Sequence, residues 1–469
     1  MRSAIVVGSG PNGLAAAIRL AQAGLRVEVI EAADEIGGGV RSAELSSPGL
    51  IHDHCSAFHP LGVSSPFMRS LPLERYGLRW RWPEIDCAHP FDDGSSALLY
   101  RDIDATAAGL NDDGARWKAL FGPLATRFDE LATEALGPFL HLPRHPVTLA
   151  RLGLRALAPA TSLARTMRSP AARALFTGMA AHAFTRLNTL GSSAAGVMLV
   201  AAGHRRGWPV AEGGSSAIAT AMAAYLTDLG GSITTGSTVS TLGDLPRADI
   251  VMLDLVAQNA VSVMGDVLPN KVARSYRSIP TRGAAYKVDY VIDGEIGWRS
   301  PECARAGTVH LGGTMEQIAA AEADVLDGRM PDRPFTLVGQ QWVADPTRAV
   351  GNRRPLWAYA HVPAGYEGDV TDRVTAQIER FAPGFRDQIV AVHASAPQQM
   401  EQYNANYIRG DISCGPSDLR HLLARPRATL RPYRTGVDGI YLCSAATPPG
   451  GGVHGMCGFH AAQAALSAL

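Results

Sequence analysis

Apolar residues follow three rhythms along this chain, and the rhythms divide it. Short continuous runs, Ala4-Ile5-Val6-Val7 and Val27-Glu28-Val29-Ile30, read as buried parallel strands. Between them, from Pro11 to Gly24, apolar positions recur at helical spacing. Helical periodicity returns in Asp104–Leu136 and Ala172–Ala201, separated by proline-rich connections. That stretch, about 71 to 204, is expected to be a mainly helical insertion and not part of a parallel sheet. An Ala-rich helix, Ser216–Leu229, then precedes a strand at Ser232–Thr235 that leads to Val239. The run Ile250–Asp254 reads as a return strand of the opening sheet. From about 283 to 404 strands (Ala284–Ile292, Thr308–Leu311, Phe335–Gly339, Leu356–His361) alternate with helices (Thr314–Asp327, Val370–Phe381), the pattern of an α+β unit with an antiparallel sheet. A last buried strand, Gly439–Cys443, feeds a glycine-rich turn and a helix from about Phe459 to Leu469.

The turn after the first strand is Gly8-Ser9-Gly10-Pro11-Asn12-Gly13, and Glu31 closes the second strand. Each position has a mechanical reason. Gly8 makes the tight turn, Gly10 lets backbone approach a pyrophosphate, and Gly13 lets the helix pack against the sheet. Unpaired N–H groups at the helix start meet phosphate charge, and the acid accepts from ribose hydroxyls. This frame predicts an adenine dinucleotide. A second cluster, Gly37-Gly38-Gly39-Val40-Arg41-Ser42, suits a cofactor whose far half passes close to backbone, as FAD does in glutathione-reductase-like flavoproteins. Arg41 is a candidate for a phosphate or the flavin edge. The turn Pro448–Gly458 offers a third approach, where a helix N-terminus would face the pyrimidine edge of a reduced flavin.

Composition changes the picture mainly by exclusion. The chain has 469 residues, enough for two or three domains, and 43 basic side chains balance 43 acidic ones. Balanced charge gives no electrostatic case for a nucleic-acid partner. The six cysteines, Cys55, Cys87, Cys303, Cys414, Cys443 and Cys457, form no CxxC pair. No redox dithiol, zinc site or iron–sulfur cluster is therefore expected, and dispersed thiols fit a cytoplasmic protein. Met1-Arg2-Ser3 runs straight into the first strand, leaving no room for a signal peptide. A segment with Arg144, Arg151, Arg155, Arg165 and Arg168 among leucines reads first as a solvated arginine face. It is also the one stretch suited to peripheral membrane contact.

The landmarks together resemble the phytoene-dehydrogenase-related branch of FAD-dependent oxidoreductases, which includes phytoene desaturases, carotenoid isomerases and the branch of pyridine nucleotide-disulfide oxidoreductase domain-containing protein 2. The motifs are Gly8–Gly13 with Glu31, Gly37–Ser42, Gly207–Gly214, Lys287–Tyr290, Ala306–Gly312 and Tyr441–Gly458. The resemblance implies an α/β fold: a glutathione-reductase-like Rossmann FAD domain built from the discontinuous segments 1–70, 205–282 and 405–469, with an inserted α+β substrate domain of residues 71–204 and 283–404. It implies FAD contacts at Gly8, Ser9, Gly10, Pro11, Asn12, Gly13, Glu31, Gly38, Gly39 and Arg41. It adds the backbone of Val239 at adenine, and Gly451, Gly452, Val453 and Met456 in the C-terminal turn.

The expected function is hydride transfer from an apolar small molecule to flavin N5, with oxygen or a quinone as acceptor. No second dinucleotide fingerprint exists, so tight nicotinamide binding is not expected. Acid–base candidates are His454, inside the last turn, then His59, His54 and His182. Lys287 is the residue a flavin amine oxidase would use. Strand alternation places it with Asp289 on the face opposite Tyr286, Val288 and Tyr290, expected to be a solvent-facing edge. Asp411 reads equally as a ligand contact or a turn cap. Trp208, Tyr286, Tyr290, Trp342, Trp357, Tyr403 and Tyr407 are the candidate walls. The alternatives are an amine oxidase and a non-catalytic lipid- or protein-binding relative of the same fold. A homodimer stays open.

Overall fold

Ser3–Val7 lies in the middle of a five-stranded parallel sheet in the computed structural model, which describes residues 2–139 and 141–469. Met1 and Leu140 lie outside the described residues. The sheet order is Ile440–Leu442, Ile250–Leu253, Ser3–Val7, Arg26–Ile30, Ser232–Thr234. Every neighbouring pair is parallel. Continuous apolar sequence fits this place, because a central parallel strand is covered on both faces. The helix Pro11–Gln22 covers one face, and its residues Leu14 to Ile18 are completely buried. The C-terminal helix Met456–Leu466 lies beside it. There Gly458 is required, since a Cβ would run into the Asn12 carbonyl.

The chain leaves the first strand toward Arg26–Ile30 on one side, while Ile250–Leu253 returns on the other. This reversal opens a crevice at the carboxyl ends of the two middle strands, where open α/β sheets bind ligands. Gly8 follows one strand and Asp254 the other.

A second sheet has seven strands, in the order Ile389–Ser395, Gly283–Asp293, Arg353–Pro363, Thr336–Gly339, Ala306–Leu311, Ile85–Pro90, Ser96–Leu99. Its pairs are antiparallel except Ala306–Leu311 with Ile85–Pro90. The insertion stays outside the parallel sheet, as expected, but it adds the last two strands of this second sheet to its helices. Ile85–Pro90 is buried throughout, but Asp86 and His89 interrupt its apolar run, so periodicity alone does not mark it as a strand. Apart from the short strand Trp80–Arg81, the regular structure in the rest of the insertion is helical. Expected Asp104–Leu136 is broken into Ile103–Gly109, Gly114–Thr126 and Phe128–Ala135, and Ala172–Ala201 into Pro170–Ala181 and Ala194–Arg206. Among the described residues no helix is long and apolar enough to cross a membrane.

The seven-stranded sheet has a dry face and a polar one. Tyr286, Val288, Tyr290 and Ala358 pack into one apolar cluster with Ile378, Phe381 and Phe385. The opposite face carries Lys287, Asp289, Trp357, Tyr359, His361 and His310, with the register Lys287↔Tyr359↔Leu337↔His310. Its middle fronts the crevice of the parallel sheet.

Candidate functional site

One cavity of about 1160 Å³ runs from the crevice into the space under the seven-stranded sheet. At its first end Gly8, Gly10, Pro11 and Asn12 form the wall, with Glu31 and Val239 close by. Gly8 has φ 99°, a conformation open to glycine, and a Cβ at Gly13 would run into the Gly8 carbonyl. Glu31 fixes the turn: its carboxylate accepts from the Ser9 N–H at 2.8 Å, the Ser9 hydroxyl at 2.7 Å and the Ala33 N–H at 3.0 Å. Ser9 and Gly13 therefore shape the turn from behind and do not line the cavity.

The second glycine cluster folds over the first. Gly37 N–H donates to the Ser9 carbonyl at 3.1 Å, and a Cβ at Gly38 would stand 3.2 Å from Gly10 Cα. A Cβ at Gly39 would strike the Tyr407 hydroxyl. Arg41 lines the cavity, stacks at 4.3 Å over the Tyr403 ring and donates to the Tyr403 carbonyl at 3.0 Å. Tyr403 in turn donates its hydroxyl to the Gly38 carbonyl at 2.7 Å.

From the other end of the polypeptide, Gly451, Gly452, Val453 and His454 line the same cavity. Met456 does not: its side chain is buried in the core, and its N–H donates to His454 Nδ1 at 3.0 Å. The wall fits an adenine dinucleotide that is extended through the crevice. Glycines stand where backbone must come close, and an acid stands beyond them.

Beyond this the cavity becomes apolar. Leu149 and Leu152 of the helix Pro146–Ala156, Met198 and Leu199 of Ala194–Arg206, and Leu419 and Leu422 close it. The arginine-rich segment thus covers the chamber with one face. Its other face holds exposed Val147, Arg151 and Leu154. Of the expected aromatic walls, Trp208, Trp357, Tyr403 and Tyr407 take part. Tyr286, Tyr290 and Trp342 do not. They pack in the dry cluster on the far side of the sheet, with the Tyr286 hydroxyl donating to Asp369 and Tyr290 bonded to Thr375. Tyr359, Phe58 and Phe184 line the cavity without any sequence signal.

Lys287 overturns its expectation. It is 2% exposed on a central strand paired on both edges, and forms an ion pair with Asp289. Alternation put the pair on the correct face, but that face packs against the dinucleotide unit and not solvent. Burial pushes the ammonium below its usual range. Burial alone would raise Asp289, yet Lys287 and His52 hold the carboxyl below its ordinary value. Lys287 does not reach the cavity wall; Trp357 stands over it at 5.4 Å.

The histidines divide. His454 caps the last helix through Nδ1, and burial holds it neutral, down to about 4. His59 Nε2 lies 2.9 Å from Ser215 Oγ, whose own hydrogen goes to the Ser56 carbonyl at 2.7 Å. The His59 ring therefore donates from Nε2 and keeps a lone pair on an unpartnered Nδ1 at the cavity wall. Burial pushes it down to about 4. His54 stacks on Tyr403 at 4.5 Å behind the wall, and His182 lines the chamber. Asp411 caps a turn, accepting from Ser413 and Gly415 N–H groups at 2.8 and 2.9 Å.

Two ionisable wall residues likewise have no expectation behind them. Asp254 leans over the first turn and accepts from Gly13 N–H; burial first, then Glu31 nearby, push its carboxyl up to about 7. Arg425 is a buried guanidinium that donates to the carbonyls of Gly415, Pro416 and Ala445 beside the C-terminal glycines. Neither belongs to a motif, because each comes to the cavity only through pairing of distant segments.

A family model described as an NAD(P)-binding Rossmann-like domain matches residues 6–71. Pyridine nucleotide-disulfide oxidoreductase domain-containing protein 2 of Rattus norvegicus is 24% identical, over 98% of this chain and 92% of that protein. Hydroxyneurosporene desaturase of Rhodobacter capsulatus is 34% identical over 28% of this chain and 26% of its own. An oxidoreductase structure from Methanosarcina mazei superposes with a TM-score of 0.65 at 14% identity, covering 99% of this chain and all 100% of the other. Putrescine oxidase, solved with putrescine bound, gives 0.64 at 19% identity, covering 100% and 98%. The chain is thus a homologue of pyridine nucleotide-disulfide oxidoreductase domain-containing protein 2 along nearly its whole length and of a carotenoid desaturase over part of it, with the glutathione-reductase-like fold of the FAD-dependent oxidoreductases.

Proposed function

We propose that the protein is an FAD-dependent oxidoreductase that takes a hydride from an apolar small molecule. One observation carries the reading: Gly10 and Gly452, from opposite ends of the chain, line a single cavity that continues into an apolar chamber. In this reading the Gly8–Gly13 turn meets the pyrophosphate, Glu31 the ribose and the Val239 backbone the adenine. Arg41 and the Gly451–Val453 turn meet the flavin half. FAD supplies the two-electron chemistry; the chain supplies position, an apolar wall and exclusion of water. Electrons then pass to oxygen or a quinone. His454 acts structurally, since its ring is tied by the fold, whereas His59 is held through Nε2 alone and leaves Nδ1 free at the wall.

The amine-oxidase alternative draws support from the fold of putrescine oxidase. Against it stands Lys287, which is committed to Asp289 behind the wall. A phytoene-dehydrogenase-like specificity rests on the partial likeness to a desaturase. Entry from a lipid surface is consistent with exposed Leu142, Val147 and Leu154 beside Arg144 and Arg151, outside the helix that covers the chamber.

The test is anaerobic mixing of the purified flavoprotein with apolar alcohols, terpenes, polyenes and primary amines. Bleaching of the flavin by a member of the apolar set supports the proposal. Bleaching by amines alone overturns it in favour of the amine-oxidase reading.

A further inference from the structure

One acid crowds all three glycines of the first turn. Asp254 follows the strand Ile250–Leu253, and its N–H donates to the Val7 carbonyl at 2.8 Å, which sets it directly beside Gly8. A Cβ at Gly8 would stand 3.1 Å from Asp254 Cβ. A Cβ at Gly10 would stand 2.8 Å from Oδ2 and one at Gly13 2.9 Å from it. Oδ2 itself accepts the Gly13 N–H. Asn406 clamps the backbone from the far side: its Nδ2 donates to the Asp254 carbonyl at 3.1 Å, and its Oδ1 accepts from Val256 at 2.7 Å. The carboxyl is thus fixed in the cavity wall, 8% exposed. Its second oxygen, Oδ1, makes no hydrogen bond to the described residues.

The charge around this carboxyl has one sign. Glu31 stands nearby, and neither acid is ion-paired with a basic side chain among the described residues. Arg41 is turned to the Tyr403 ring and carbonyl. Three thiols lie close: Cys414, Cys443 after the next strand and Cys457 in the last helix. Burial pushes all three up, so they stay neutral. A diphosphate at the Gly8–Gly13 turn adds its own negative charge. With Asp254 ionised, only negative charge would meet in a buried wall, and such a gathering takes up a proton. Geometry says where. Both Glu31 oxygens accept, Oε2 from the Ser9 N–H and hydroxyl and Oε1 from the Ala33 N–H. The oxygen left open is Asp254 Oδ1. Once protonated it is a donor, and an O–H on a phosphate oxygen is a charge-assisted hydrogen bond.

We infer that Asp254 binds the cofactor diphosphate as a neutral acid, donating an O–H from Oδ1, so that one proton from solvent is taken up with each FAD. The inference rests on the flavin reading above and adds a pH-linked ligand to it. The sign follows from the free carboxyl, which burial and then Glu31 raise to about 7. Below that value the group is already neutral, and binding takes up nothing. Above it, binding must draw the proton from solvent, so affinity falls as pH rises. The glycine turn therefore holds FAD most tightly in mild acid and releases it most readily in mild alkali.

The test follows retention of FAD by the purified holoprotein, diluted at a series of pH values, with released FAD read by its fluorescence. In wild type the dissociation constant is expected to rise about tenfold from pH 6 to pH 8, the linkage of one proton to a group near 7. This measurement needs no variant. In Asp254→Asn an amide N–H takes the place of the O–H, and the constant is expected to stay flat at the tight value. Infrared spectra of the holoprotein at pH 8, with the aspartate carboxyls carbon-13 labelled, are expected to show the C=O stretch of a neutral carboxyl that Asp254→Asn lacks. A flat constant in wild type, a pH dependence that survives Asp254→Asn, or no neutral-carboxyl band at pH 8 each overturn the inference. Yellow protein with a flat constant sinks the inference alone; colourless protein that takes up no added FAD sinks the flavin reading beneath it.

Discussion

The Asp254 carboxylate accepts the backbone N–H of Gly13 at 2.9 Å, across 241 positions of sequence. It occupies one of the unpaired donors at the start of the first helix, where negative charge is favoured. Yet the site is buried, and burial with Glu31 nearby raises the carboxyl from an ordinary 3.8 to about 7. An acid whose folded value is raised costs nothing below its unfolded value. The cost grows as pH climbs from about 4 and is complete above about 7, where it reaches at most roughly 4 kcal/mol. Asp254→Asn keeps an acceptor for Gly13 and removes the charge. The variant is expected to match wild type near pH 4 and to exceed its stability at pH 8, read by equilibrium unfolding.

Gly39 and Tyr407 set the gap between the second glycine cluster and the wall. Gly39→Ala puts a methyl group into the Tyr407 hydroxyl. Overpacking of this kind costs about 1–3 kcal/mol. The variant is expected to melt earlier and to lose flavin, while Gly39→Ala with Tyr407→Phe recovers part of both. Differential calorimetry and flavin absorbance check it.

Lys287→Met leaves Asp289 buried with only His52, at 3.4 Å, as an ionisable neighbour in contact. Breaking a buried pair from one side costs about 3–5 kcal/mol, whereas replacing both partners by apolar groups is far milder. The single variant is expected to be the least stable, and Lys287→Met with Asp289→Leu to recover most of the loss in urea unfolding.

What the sequence reveals and what it hides have separable causes. The Gly8–Gly13 turn, Glu31 and the strand pattern of 283–404 are legible because local rules write them: glycine where backbone must bend, period two where one face is covered. Lys287 is misplaced because alternation names a face without saying what covers it. Ile85–Pro90 is missed because its buried Asp86 and His89 mimic an exposed edge. Asp254, Tyr359 and Arg425 reach the cavity through sheet order and loop return, which depend on pairings between distant segments. Met456 follows the motif in sequence, but its place at the first turn of the last helix aims it into the core.

No second dinucleotide fingerprint lies beside the cavity, so electrons are expected to leave the flavin for oxygen or a quinone. Anaerobic stopped-flow mixing with NADH is expected to leave the flavin oxidised over seconds. Rapid bleaching would show a nicotinamide site and overturn the expectation.

The central claim is that two backbone turns, Gly8–Gly13 and Gly451–Val453, close on one FAD. Denaturing the purified protein and identifying the released chromophore tests it most directly. The account predicts one FAD per chain, retained by wild type and lost when Gly10 is replaced by valine. A colourless protein that also fails to take up added FAD would contradict it.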